Sequence, residues 1–140
     1  MQDEAEKQLE ERIKKHEGLR LSAYMDSEGH ATIGWGHRIR SISPDRAQAY
    51  FDRDLREASK GASWLIKHYD LVLSDEREGV LIEMCFQMGL AGVRKFKRML
   101  AALQQKDYAG AAVEMRQSRW HKQTPNRCER LARVMETGQG

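Results

Sequence analysis

At 140 residues the chain is long enough for one folding unit with a real hydrophobic core and room for a second small lobe. Hydrophobic residues make up 40% and charged residues 32%, which excludes fibrous, disordered and membrane-embedded classes. A net charge of +3 and a pI of about 8.9 favour polyanions such as a bacterial envelope, nucleic acid or an anionic membrane surface. A basic surface with no partner fits the charge equally well. Cys85 and Cys128 are too few for a disulfide-stapled scaffold and lie in no metal-type Cys-His pattern, so both are expected reduced. The charged N-terminal stretch, MQDEAEKQLEERIKK, is unlike a signal peptide, and no run approaches the ~20 apolar residues of a membrane span. Accumulation in the cytoplasm is the resulting expectation, with passage across any membrane needing outside help.

Ala5, Leu9 and Ile13 recur every fourth residue, which predicts an amphipathic helix from residue 3 to about 17, stopped by Gly18. Leu19 to Asp26 reads as extended. Ser27-Glu28-Gly29-His30 supplies turn chemistry and Ala31 to Trp35 a second strand, so a β-hairpin is expected in an otherwise helical chain. Ser43-Pro44-Asp45 opens a helix that runs through Tyr50, Phe51, Leu55 and Ala58 towards Trp64, with Gly61 a weak point along it. Ser74-Asp75-Glu76 begins the next, whose apolar run from Val80 to Met88 marks a buried central helix ending at Gly89. Further helices are expected over Val93 to Gln104 and Tyr108 to Ser118. A last one opens at Thr124-Pro125-Asn126 and ends near Thr137-Gly138.

Three residues in HEGLRLSAYMDSEGHATIGWGHRI carry candidate chemistry. Asp26 stands nine residues beyond Glu17, and Thr32 six beyond Asp26. Glu17 is expected at a helix end, where the dipole raises a carboxyl pKa and favours the protonated acid. Asp26 is expected in an extended segment, with the Thr32 hydroxyl across the turn. Two carboxyl groups in unlike surroundings can divide acid and base roles, as glycosidic cleavage requires. Without further support Asp26 and Glu28 are as readily turn residues, and Thr32 a plain strand residue. No HExxH, paired-His, GxSxG or P-loop pattern occurs, so neither a metal nor another cofactor is expected.

Glu17 to His37 (EGLRLSAYMDSEGHATIGWGH) resembles the phage lysozymes, most closely their T-even branch. FQMG at residues 86–89, LQQK at 103–106, and SRW with QTPNR within 118–127 agree with the same family in the same order. The resemblance implies an α+β, mainly helical, lysozyme-like two-lobed fold: a small β-hairpin lobe and a larger helical lobe separated by a cleft. Residues 1–140 would form a single lysozyme domain, with 18–43 the reduced hairpin lobe and 44–68 a connecting helix. Residues 1–17 and 69–140 would make the helical lobe. Only residues 38–42 separate His37 from the Ser43 cap, where the T-even branch has a longer insertion, so the outer sugar subsites are open to question.

The implied activity is that of a peptidoglycan hydrolase, a muramidase cleaving the β-1,4 bond between N-acetylmuramic acid and N-acetylglucosamine with inversion. By resemblance Glu17 is the catalytic acid, Asp26 the second carboxylate and Thr32 the hydroxyl facing it. Gln87 lies on the cleft wall, Glu28 and Arg119 pair across its mouth, and Arg127 is the basic neighbour of the acid. That neighbour would lower the acid's pKa, against the helix-end effect. His37 and Asp54 form a structural ion pair, and Glu114 replaces an asparagine near the cleft, a contact not carried over. Trp35, Trp64 and Trp120 suit packing as well as sugar binding. The implied setting is an endolysin, a bacteriolytic enzyme of a phage or prophage. It would act as a monomer on peptidoglycan glycan strands, with no nucleic-acid partner and no membrane anchor. It would wait in the host cytoplasm until a holin admits it to the periplasm and cell wall. The rivals are a lytic transglycosylase, an inactive peptidoglycan-binding relative, and a nucleic-acid-binding domain using Arg127, Arg130 and Arg133, although three such residues more often make a solvated face.

Overall fold

The computed structural model describes residues 3–23 and 44–140, with side chains for 4–15 and 46–140. The helices among them are α1 (Asp3–Ala23), α2 (Pro44–His68), α3 (Asp75–Arg94), α4 (Lys97–Gln104), α5 (Tyr108–Arg116), α6 (Arg119–Gln123) and α7 (Pro125–Thr137). No strand occurs among the described residues. The turn and second strand expected at residues 27–35 lie outside them. The chain divides into two units, residues 2–56 and 57–140, with the boundary inside α2.

The first unit holds α1 and the first half of α2. Leu9 and Ile13 are buried on the expected stripe of α1, as is Phe51 of α2. The Lys14 ammonium lies over the Phe51 ring, 5.3 Å from its centre, a cation–π arrangement. Gly18 does not stop α1. The helix continues to Ala23, through residues expected to be extended. Glycine permits a left-handed stop without imposing one, and its cost of about 1 kcal/mol in a helix interior is offset by the good helix formers Leu19, Arg20 and Leu21. Glu17 therefore belongs to the interior of α1.

The second unit is built around α3. Ser74 caps it, its Oγ accepting from the Arg77 amide at 3.3 Å, and Asp75, Glu76 and Glu78 complement the dipole in the first turn. Residues 79–86 are buried without a break, as the apolar run predicts. Gly89 leaves helical geometry at φ 78° and ψ 162°, but the chain re-enters the helix and closes it at Arg94. Val93, expected to open the next helix, is thus a buried residue of the end of α3. Helix α2 runs four residues past Trp64, the end read from its residues, to His68, the bound that the resemblance implies. Gly61 has a packing role in it: a β-carbon there would stand 3.4 Å from both Cys85 Sγ and Leu90 Cβ, so α3 passes close by.

Helix α4 packs on α5, and α7 packs on α3, α5 and α6. Asp107 caps α5 through the Gly110 amide at 2.9 Å. That helix ends at Arg116, two residues early, because Ser118 is used to cap the five-residue α6 through the His121 amide at 3.3 Å. Helix α7 begins at Pro125 and stops at left-handed Gly138, as its sequence signals predict. Its buried face is Cys128, Leu131, Ala132, Val134 and Met135, spaced three and four apart. Cys85 and Cys128 are free and buried, and burial pushes their thiols up to about 12 and about 11.

Gly61 offers a test of the α2–α3 approach. Gly61→Ala fits the available space and should gain up to about 1 kcal/mol from helix propensity. Gly61→Leu should lose about 1–3 kcal/mol through overpacking. Urea unfolding of the two variants measures both, and equal tolerance would rule out the close contact.

Candidate active site

Three polar ties cross from α3 to the C-terminal helices. At one end Arg77 Nε donates to the Met135 carbonyl at 2.7 Å and its Nη2 to the Glu136 carbonyl at 3.1 Å. The guanidinium also lies 3.7 Å from the centre of the Tyr108 ring. A cation at these last carbonyls complements the α7 dipole. In the middle Arg127 Nε donates to Glu83 Oε2 at 3.0 Å. At the other end Gln87 Nε2 donates to Thr124 Oγ1 at 3.4 Å, while Gln87 Oε1 accepts from Trp120 Nε1 at 3.0 Å. Thr124 in turn donates to the Trp120 carbonyl at 3.3 Å. Going up α3 from 77 to 83 to 87, the partners descend from 135 to 127 to 124, so α3 and α7 run antiparallel in a fixed register.

The middle tie is the unusual one. The Glu83 side chain is fully buried and that of Arg127 is 11% exposed. Glu83 is the one charged residue in the run from Val80 to Met88, and a buried charge persists when paired and hydrogen-bonded. Sequence reasoning missed it. The signal was a glutamate inside an otherwise apolar helix, but its partner lies 44 positions away.

Of the other expected site residues, Gln87 is half-buried and anchors Trp120, whose ring is buried and meets Phe96 edge-on at 6.1 Å. That makes Trp120 a packing anchor. Arg119 is exposed and lines a groove of about 640 Å³ with Lys95, Lys97, Arg98 and Glu114. Asp54 has Arg53 Nε at 3.6 Å. Trp64, 37% exposed, stacks on His68 at 4.3 Å and has the Arg94 guanidinium 4.7 Å from its centre. Arg127 turns inward to Glu83 and does not join Arg130 and Arg133 on a solvated basic face, which weakens the nucleic-acid alternative. The side chains of Glu17, Asp26, Glu28, Thr32, Trp35 and His37 lie outside the described residues.

Helix α7 also carries a surface network. Arg116 Nε donates to Glu129 Oε1 at 2.8 Å, and His121 Nε2 stands 3.5 Å from Glu129 Oε2. The Arg116 hydrogen bond is the main reason the Glu129 carboxyl titrates below its ordinary value.

A family model for phage lysozyme matches residues 14–134, a span containing every candidate site position from Glu17 to Arg127. The chain belongs to the phage lysozyme family. It is therefore an enzyme of lysozyme type. It is 33% identical to a probable T4-type lysozyme 1 of Dictyostelium discoideum, with 93% of this chain and 94% of that protein covered. That alignment takes 164 positions for a chain of 140 residues, so the relative carries residues this lysozyme lacks. The pre-baseplate central spike protein Gp5 of Enterobacteria phage T4 is 31% identical across 93% of this chain, which corresponds to 28% of the spike protein. An endolysin of Acyrthosiphon pisum secondary endosymbiont phage 1 is 28% identical, covering 81% of this chain and 77% of its own.

The buried pair makes a thermodynamic prediction. Glu83→Leu alone leaves Arg127 without this carboxylate and should cost about 3–5 kcal/mol in denaturant unfolding. Combining Glu83→Leu with Arg127→Met should recover most of that loss, since apolar residues of similar volume replace such pairs at little cost. A double variant no more stable than the single one would contradict the pairing.

Proposed function

We propose that this lysozyme hydrolyses peptidoglycan at the β-1,4 bond between N-acetylmuramic acid and N-acetylglucosamine, with inversion at the anomeric carbon. Glu17 gives its proton to the oxygen of the leaving sugar as the glycosidic bond breaks. Asp26 takes a proton from a water molecule, and that water's oxygen bonds to the anomeric carbon from the opposite face. Thr32 holds the water, a task suited to a hydroxyl because it both donates and accepts. An inverting site leaves roughly 6.5–9.5 Å between its carboxyl groups to admit that water. Glu28 and Arg119 would pair at the mouth of the cleft, Gln87 would line its wall, and Arg127 would neighbour the acid. His37 and Asp54 would form a structural pair.

The observation that carries this reading is the family match over residues 14–134, which includes Glu17, Asp26 and Thr32 in the order and spacing of the resemblance. A similar protein of Pseudomonas phage phiKMV, 27% identical over 88% of this chain, is named a peptidoglycan hydrolase. No helix among the described residues is long and apolar enough to cross a membrane. The proposed setting is lysis of a bacterial host by a monomeric endolysin that reaches the wall when a holin opens the inner membrane.

Digestion of purified peptidoglycan separates this reading from its rivals. The expected products carry a reducing end of inverted configuration, seen by mass spectrometry and by NMR of fresh digests. An anhydro ring would instead make the protein a lytic transglycosylase. Glu17→Gln and Asp26→Asn should each lose activity by at least about a hundredfold, the scale of general acid–base catalysis. Binding without turnover by the unaltered protein would make it an inactive relative.

A further inference from the structure

The groove of about 640 Å³ lies wholly within the 57–140 unit and is edged by Lys95, Lys97, Arg98 and Arg119. All four are exposed, and among the described residues none of their side chains has an ion pair, hydrogen bond or ring contact. Two of them stand where local stability argues against a cation. Lys97 and Arg98 open α4, whose first turn holds no acidic residue and whose preceding residue, Phe96, offers no side-chain cap. A helix start carries a partial positive charge and favours acids, as the first turn of α3 shows with Asp75, Glu76 and Glu78. Crowding cations there is unfavourable, and a bound anion would offset the repulsion.

The rest of the lining selects among anions. Met88 and Phe96 are half-buried and give the groove an apolar floor. Gln117 and Gln123 present amides that both donate and accept, as a peptide backbone requires. Glu114, also in the lining, is a lone carboxylate that would repel a phosphate polymer but accept an amine. Single-stranded nucleic acid needs open aromatic faces for its bases, and the Trp120 ring is buried with its neighbour Phe96 edge-on. A membrane surface is too broad to enter a concavity of this size.

We propose that this groove docks an extended, acidic and partly apolar segment of a partner protein. Carboxylates of the segment meet the four cations, and its aliphatic side chains cover Met88 and Phe96. Glu114 sets its direction by taking a basic group. The inference goes beyond hydrolysis and does not rest on the catalytic reading.

The test is fluorescence anisotropy of a short fluorescein-labelled peptide of alternating glutamate and leucine, titrated with the full chain at low salt. Saturable binding is expected, weakening as salt rises. Lys97→Glu combined with Arg98→Glu should reduce affinity by about tenfold or more, the effect of reversing charges that meet the ligand. Lys67→Glu combined with Arg133→Glu, an equal charge change at exposed positions outside the lining, should leave affinity within about twofold. The groove variant should also unfold at the same or a higher urea concentration, because its new acids suit the start of α4. That readout separates lost docking from lost folding. A peptide that does not saturate, an equal loss in the two double variants, or a groove variant that unfolds more easily overturns the proposal. Tighter groove-dependent binding of polyphosphate, oligothymidylate, phosphatidylglycerol vesicles or soluble peptidoglycan fragments, each run as a competitor, overturns it too, since the groove would then serve that ligand.

Discussion

The antiparallel seating of α7 on α3 is the constraint on which the 57–140 unit depends. Apolar contacts alone would allow the two helices to slide, because Leu131, Val134 and Met135 offer similar surfaces at neighbouring turns. Directional bonds remove that freedom. Arg77 holds the end of α7, Gln87 meets Thr124 just before its start, and Glu83 with Arg127 sets the depth between them. A slip of one turn, about 5.4 Å, would break all three and bury an unpaired carboxylate. Register is thus fixed by groups that are costly to leave unsatisfied.

The Glu83–Arg127 pair seats opposite charges together inside the 57–140 unit. Burial strengthens the pair because little water is present to screen it. Gln87 illustrates the neutral counterpart of this device. It holds the Trp120 indole and the Thr124 hydroxyl with no net charge, so the wall it is proposed to form is rigid without altering the local potential.

Much of the helical framework was legible because its signals are local. Ser74, Pro125 and Gly138 mark helix limits through their own backbone and side-chain chemistry, and the buried run at residues 79–86 follows from composition. The misreadings also have local causes. Gly18 reads as a stop, but glycine allows a helix to continue when good helix formers follow. Helix α6 is too short to show a period, and its cap residue, Ser118, reads as part of the helix before it. Glu83 was visible as a charge among apolar residues, yet only the fold reveals that Arg127 answers it. For the proposed catalytic trio the reverse holds. Glu17, Asp26 and Thr32 are legible through the resemblance of their motif, while their side-chain geometry lies outside the described residues.

The most direct measurement of the central interaction is the exchange rate of the Arg127 Nε–H, read by nitrogen-15 NMR of the folded protein near neutral pH. A proton held between α3 and α7 on a buried carboxylate should exchange far more slowly than those of exposed arginines such as Arg119, and should lose that protection in Glu83→Gln. Exchange as fast as that of the exposed arginines would mean that the guanidinium is not seated on Glu83, and the account of α7's register would fail with it.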